Sequence, residues 1–366
     1  MPESLPLVNA VNERISALLT ERRAMLEQLG IELAPVVDQL DAFTSGGKRS
    51  RARFLAAGAA QAIGTTDANT DDALATAVVD AAAALELFHA AALVHDDLLD
   101  RSDTRRGLPA THRVFEQLHA DSGWVGDREH FGLSAAILAG DLLLMWSDDL
   151  FINATVAIDE SSAARARAEY TRMRTEVTAG QFLDIVEELA WSVIPITEWA
   201  DRAIAIATSK SARYSVEAPL VLGALLAGAD DELIATIRSF GLPLGLAFQL
   251  RDDVLGVFGD SAVTGKPAGD DLREGKRTLI VAEVERLGDA ETRAFFDARL
   301  GQPDLTNDEI ARMQELIRAT GALDEVEARI QAWLDECLAV LEATPLEPEV
   351  RELLIALAEL SARRDA

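Results

Sequence analysis

Residues 72–100 read DALATAVVDAAAALELFHAAALVHDDLLD, and this stretch limits the possible folds more tightly than any other. Alanine and leucine are strong helix formers, and neither glycine nor proline interrupts the run. Apolar residues fall on nearly every face, which does not suit a helix with one wet side. The pattern predicts a buried central helix. It ends abruptly on charge, with His95, Asp96, Asp97 and Asp100 followed by Arg105 and Arg106. Charge beside a core is costly unless something binds there or the helix end is simply solvated.

A second stretch repeats this design. Residues 231–257 form another long apolar pattern, and FQLRDDVLG (248–256) echoes ALVHDDLLD (92–100) by delivering an Asp-Asp pair from an apolar face. Further periodicity predicts helices near 7–28, 50–63, 131–155, 161–190, 198–215, 216–227, 276–287, 307–343 and 347–362. The polar, glycine-containing segments 101–130 and 258–275 read as loops. With aromatics at 5% and little β-branched alternation, the expected fold is all-α. No Pro- or Ser-rich linker divides the 366 residues, so one domain over 1–366 is expected.

Asp96 and Asp100 stand four apart and share a helical face, whereas Asp97 is rotated by about 100° and can only support them. If the two acid-tipped helices lie side by side, their carboxylates confront one another across a cleft. Such repulsion must be neutralised by cations. Carboxylates without cysteine or clustered histidine suit a hard ion such as magnesium. The alternative is that each pair lies on a wet surface.

The chain holds 34 Lys and Arg against 62 Asp and Glu, a formal net charge of −28, which argues against nucleic acid as a partner. The few cations gather at SGGKRSRARF (45–54), TRRG (104–107), SKSARYS (209–215), TGKP (264–267) and REGKRT (273–278). Each cluster lies in or beside a glycine turn or a helix end, where backbone amides meet anions. Together with the acidic pairs they suggest a diphosphate gripped by magnesium on one side and by Lys and Arg on the other. A GxxxxGK[ST] loop is absent, which disfavours P-loop nucleotide hydrolysis. The single cysteine, Cys337, leaves no internal disulfide framework and no thiolate zinc site. No signal peptide, no transmembrane segment and a cytoplasmic location are expected, since there is neither a basic N-terminal flank nor a run of eighteen apolar residues.

These motifs resemble the trans-polyprenyl diphosphate synthase family, the polyprenyl synthetases, over nearly the whole chain. HDDLLDRSDTRRG (95–107) resembles the family's first aspartate-rich motif, and GLAFQLRDDVLG (245–256) the second in all but its last position. GGKRSR, GQFLD and the TGK…DD…GKRT tail also resemble family segments. The resemblance implies a helical bundle of the class I isoprenoid synthase type, with central helices around a deep active-site cavity. It implies a magnesium-dependent prenyltransferase that joins an allylic diphosphate (dimethylallyl, geranyl or farnesyl) to isopentenyl diphosphate, and a homodimer.

Residue by residue, Asp96, Asp100 and Asp252 look like ligands of three magnesium ions, with Asp97 and Asp253 in support and Asp270 at the edge. Arg105, Lys210 and Lys266 look like clamps on the allylic diphosphate. Lys48, Arg51, His89 and Arg106 look like the isopentenyl diphosphate pocket. Ser211, Gln181 and Gln249 resemble the residues that set oxygen atoms near the developing carbocation. Two positions depart from the family pattern: Gly256 stands for a third aspartate, for which Asp260 could compensate partly, and Ala52 stands where proline is common. The loop 258–275, with Gly259, Gly265 and Gly269, is the expected lid.

One helical turn rises about 5.4 Å, close to one isoprene unit. Ala91 and Ala92 lie where short-product members of the family carry bulky side chains, and Phe88 and Leu85 lie one and two turns lower as a possible floor. The expected product is geranylgeranyl diphosphate, with a farnesyl or longer-chain synthase as the alternative. A regulatory subunit of a heteromeric synthase, a class I cyclase and an acidic helical scaffold are the competing readings. The two acidic motifs, the Lys48–Arg51–His89–Arg106 set and the five basic turns speak against them in that order.

Overall fold

The computed structural model describes residues 5–66, 72–259 and 268–363. The described residues form helices almost throughout, with one two-stranded hairpin. In chain order these are α1 (Leu5–Glu27), α2 (Ala34–Thr44), α3 (Ser50–Ile63) and α4 (Asp72–Leu99). A hairpin comes after α4, pairing Thr104 with Pro109 and Arg105 with Leu108 in antiparallel register. Next come α5 (Thr111–Asp121), α6 (Arg128–Ala154), α7 (Glu160–Ala190), α8 (Trp199–Ile206), a π-helix (Ala207–Glu217), α9 (Ala218–Leu226) and α10 (Asp231–Phe258). Six further helices cover Asp270–Glu274, Leu279–Leu287, Ala290–Arg299, Asn307–Ala319, Ala322–Ala343 and Pro348–Ala362.

The chain divides into two compact units. The first comprises residues up to Arg167 with Leu222–Ala229, and α4 is its centre, packed by α1, α3 and α6. Leu85, Leu87 and Ala91 are fully buried, as an apolar face all round requires. Gly140 on α6 makes room for the ring of His95, because a Cβ there would overlap the imidazole. Asp127 starts α6 by accepting from the amides of Glu129 and His130.

The second unit comprises Ala168–Val221 and the residues from Asp230 onward, and α10 is its centre. The π-helix, the helix Ala322–Ala343 and the C-terminal helix pack on α10. Asp230 caps α10, accepting from the amide of Leu233. By length and composition α4 and α10 could each cross a membrane, yet both lie mostly inside the protein.

The structure corrects several element boundaries. Segment 101–130 is not simply a loop: it carries the hairpin and α5, a short amphipathic helix that buries Phe115. Residues 307–343 form two helices, because Gly321 takes a left-handed backbone (φ 83°) between them. Helices Ala34–Thr44 and Ala290–Arg299 lie in stretches where the sequence periodicity predicts no helix, and Asp270–Glu274 is a short helix within the expected lid.

Candidate active site

In the first unit the end of α4 carries Asp96, Asp97 and Asp100. Asp97 is fully buried and Asp96 half-buried. A buried carboxylate needs a counter-charge, and the hairpin supplies it. Arg105 donates from Nε to Oδ1 of Asp97 at 2.7 Å and from Nη2 to Oδ2 of Asp96 at 3.4 Å. Its own Nη2 also meets Asp97. Arg105, expected as a phosphate clamp, is thus tied to the acidic motif just before it in the chain. The hairpin turns sharply through Arg106 (φ 54°) and Gly107 (φ 74°), which sends the two arginines different ways.

Two turns back on α4, His89 lines a small pocket with Thr44, Arg49, Glu86, Leu93 and Arg106. Arg106 lies against the turn before α3, where a Cβ on Gly47 would stand 3.4 Å from its Nη2. Lys48 is exposed on that turn and Arg51 is buried at the start of α3. Burial, reinforced by Arg51 and Arg106, holds the His89 imidazole well below its ordinary range, so it is neutral at pH 7. Burial and the neighbouring Arg49 likewise lower Arg106.

The sequence motifs do not single out Arg49, yet it is central to this pocket. Its backbone is left-handed (φ 50°), and its guanidinium joins three helices. Nε donates to Oδ1 of Asn12 at 2.9 Å, Nη1 to Oε2 of Glu86 at 3.3 Å and Nη2 to the carbonyl of Thr44 at 2.6 Å. Oε1 of Glu86 accepts from the amide of Ala52 at 3.3 Å. Glu86 therefore balances a cationic pocket while fixing the first turn of α3. The clue in the sequence is an acid, Glu86, in the middle of a largely apolar helix.

In the second unit, Nζ of Lys210 on the π-helix donates to Oδ2 of Asp184 on α7 at 2.5 Å. Gln181, one turn before Asp184, and Ser211 are both half-buried. On α10, Nε2 of Gln249 donates to Oδ1 of Asp253 at 2.7 Å, while Asp252 is half-buried. Burial first, then Asp271, pushes the carboxyl of Asp253 up to about 8. Asp271, rather than its neighbour Asp270, lies over Gly256, and Nζ of Lys276 stands 3.7 Å from its Oδ1. Lys266, Asp260 and Gly265 lie outside the described residues.

The donors fit magnesium. They are hard oxygen atoms, and Asp271 and Asp252 add to the rise that burial gives the Asp253 carboxyl, a repulsion that a divalent cation relieves. Among the described residues no three such groups would hold an ion by themselves. That suits an ion which keeps waters and shares phosphate oxygens with a substrate. Along α4, Leu85 and Ala91 are fully buried, Phe88 nearly so, and Ala92 half-buried.

Comparison with known proteins bears on this geometry. A family model, polyprenyl synthetase, matches residues 36–317. The crystal structure of geranylgeranyl pyrophosphate synthase from Corynebacterium glutamicum, complexed with isoprenyl diphosphate and magnesium, is similar with a TM-score of 0.91 and 40% identity. The match covers 98% of this chain and 99% of that one. Geranylfarnesyl diphosphate synthase of Aeropyrum pernix is 33% identical over 275 residues, 75% of this chain and 78% of the relative. Geranylgeranyl diphosphate synthase of Mycobacterium tuberculosis is 33% identical over 331 residues, 90% of this chain and 83% of the relative.

Proposed function

The chain belongs to the polyprenyl synthetase family and is a trans-prenyltransferase, and we propose that it condenses an allylic diphosphate with isopentenyl diphosphate to give geranylgeranyl diphosphate. One observation carries this reading. A single helix, α4, ends in the Asp96–Asp97–Asp100 carboxylates with Arg105 across them, and two turns back it lines a separate cationic pocket at His89 and Arg106. Two anion sites on one helix fit two diphosphate substrates. A cyclase has no use for the second.

Asp96, Asp100 and Asp252 are the proposed magnesium ligands, for three ions, with Asp97, Asp253 and Asp270 or Asp271 supporting them. Magnesium, when bound, neutralises charge on the departing diphosphate. Arg105, Lys210 and Lys266 hold that group as the allylic carbon–oxygen bond breaks and the oxygen leaves with the electron pair. Lys48, Arg51, His89 and Arg106 hold isopentenyl diphosphate so that its double bond attacks the cation. Positioning of this kind contributes on the order of 7 kcal/mol in favourable cases. The hydroxyl of Ser211 and the side-chain oxygens of Gln181 and Gln249 face the positive charge. Loss of a proton to the released diphosphate completes the new double bond.

Product length rests on Ala91 and Ala92, which leave the first level below the carboxylates open, with Phe88 and Leu85 as the floor. The names of the relatives cover both geranylgeranyl and geranylfarnesyl products. We also propose a homodimer. The helix α6 exposes Leu138, Met145 and Ile152, spaced by seven residues on one face, and Ile137 beside them, a face suited to a second copy. The setting is cytoplasmic, where the lone Cys337, buried, needs no disulfide partner.

The test is incorporation of labelled isopentenyl diphosphate with dimethylallyl, geranyl and farnesyl diphosphate in turn, with and without magnesium, and then chromatography of the products. A C20 product dependent on magnesium is expected. Absence of incorporation with all three starters would overturn the reading.

A further inference from the structure

Residues Trp199–Leu226 run through α8, the π-helix and α9 without a break in helical backbone. Their middle, Ala207–Glu217, winds with i→i+5 hydrogen bonds, a rare form that persists only where surroundings impose it. Backbone presses on it from two sides. On α7, Gly180 lies so close that a Cβ would stand 2.6 Å from the amide nitrogen of Lys210, and 2.9 Å from its Cα. On α10, a Cβ at Gly245 would stand 2.4 Å from the carbonyl oxygen of Ala212. Both contacts are with backbone, which cannot swing aside as a side-chain tip can. The wide turn is held between two glycines.

The same two helices grip its last residue. Glu217 is 3% exposed and accepts from Arg238 of α10 at 2.5 Å and from Arg172 of α7 at 3.4 Å. Glu169 on α7 accepts from both arginines in turn. The π-helix is thus fixed by backbone contact at Lys210–Ala212 and by ion pairs at Glu217. A residue absorbed by a widened turn rotates the later part of the helix by about 100° relative to a plain α-helix. The direction in which Lys210 and Ser211 leave the backbone is set by that widening. Asp184, which receives the Lys210 ammonium, stands one turn after Gly180 on the same helix.

We propose that Gly180 and Gly245 are positioning residues for Lys210, holding the π-turn in the winding that aims this ammonium at the allylic diphosphate. The inference rests on the reading of Lys210 given above. A methyl group at either glycine pushes the turn toward α-register and swings Lys210 off its target, without touching the pocket for isopentenyl diphosphate in the other unit.

A double-mutant cycle tests it. Gly180→Ala is expected to lower kcat at least tenfold and leave the KM for isopentenyl diphosphate within twofold. In a Lys210→Ala background the same change is expected to cost less than twofold further, because its effect runs through Lys210. A Gly180→Ala enzyme with kcat within twofold of wild type, or one whose full loss adds to that of Lys210→Ala, overturns the proposal. If Lys210→Ala itself leaves kcat within twofold, the role of Lys210 falls, and the proposal with it. Glu217→Gln, which keeps its volume, enters the same cycle should the glycine variant fail to fold, with the same outcomes deciding.

Discussion

The carboxylate of Asp271 lies where a side chain at Gly256 would begin: a Cβ there would stand 2.0 Å from its Oδ2 and 2.4 Å from its Cγ. By the resemblance of the second acidic motif Gly256 stands where a third aspartate is expected, and a carboxylate reaches that neighbourhood from the helix Asp270–Glu274 instead. Asp271 stays close enough to Asp253 to help raise its carboxyl. Gly256→Ala must displace Asp271, and a loss of about tenfold in kcat/KM, roughly 1.4 kcal/mol, is expected for the allylic substrate. Initial rates at saturating magnesium measure it. A rate equal to wild type would remove Asp271 from the chemistry.

Product length gives the second prediction. Phe88 is 5% exposed on α4, two turns before the acidic end, and Ala91 is fully buried one turn above it. Phe88→Ala should open the floor and lengthen the product by one or more isoprene units, while Ala91→Phe should shorten it. Phe88→Ala also removes buried surface, at about 3–5 kcal/mol of stability, so the assay belongs well below the melting temperature. Thin-layer or mass-resolved product analysis reads both. Unchanged length in Phe88→Ala would hand the floor to another residue.

The third prediction concerns the buried pair Arg49–Glu86, whose side chains are 6% and 5% exposed. Glu86→Ala leaves a guanidinium inside the protein without its counter-charge, which costs about 3–5 kcal/mol. Glu86→Gln keeps an acceptor for Arg49 and the amide of Ala52, and should cost less. Urea denaturation of both variants measures the difference. Equal stability of Glu86→Ala and wild type would show that Asn12 and the Thr44 carbonyl suffice.

The two acid-tipped helices are legible in the sequence because an apolar run over many turns has few other solutions, and α4 and α10 match it closely. The all-α class comes from the same periodicity. Arg49 is not legible, because its left-handed backbone leaves no mark in the letters and two of its three acceptors, Asn12 and Glu86, are distant in sequence. The π-helix leaves no mark in composition either. It packs on Gly180 and Gly245, which the sequence displays without showing what approaches them. Likewise Asp271 and Asp270 are indistinguishable as letters, and only the helix Asp270–Glu274 decides which carboxylate lies over Gly256.

The last prediction is a pH dependence. Glu285, 2% exposed, is pushed up to about 7 from its ordinary 4.5, by burial first and then by Asp297, with Arg277 and Arg293 opposing. Between these two values the native protein holds a proton that the unfolded chain has already lost. Stability therefore falls as pH rises through that window, and above about 7 the full cost is present. Glu285→Gln removes the charge and keeps the shape. It should raise stability at pH 8 by on the order of 1–3 kcal/mol, with the gain fading toward pH 5. Urea midpoints of wild type and variant at the two pH values measure this. A gain of equal size at both would mean that packing, not protonation, separates the two proteins, since only a titrating carboxyl makes the advantage disappear in acid.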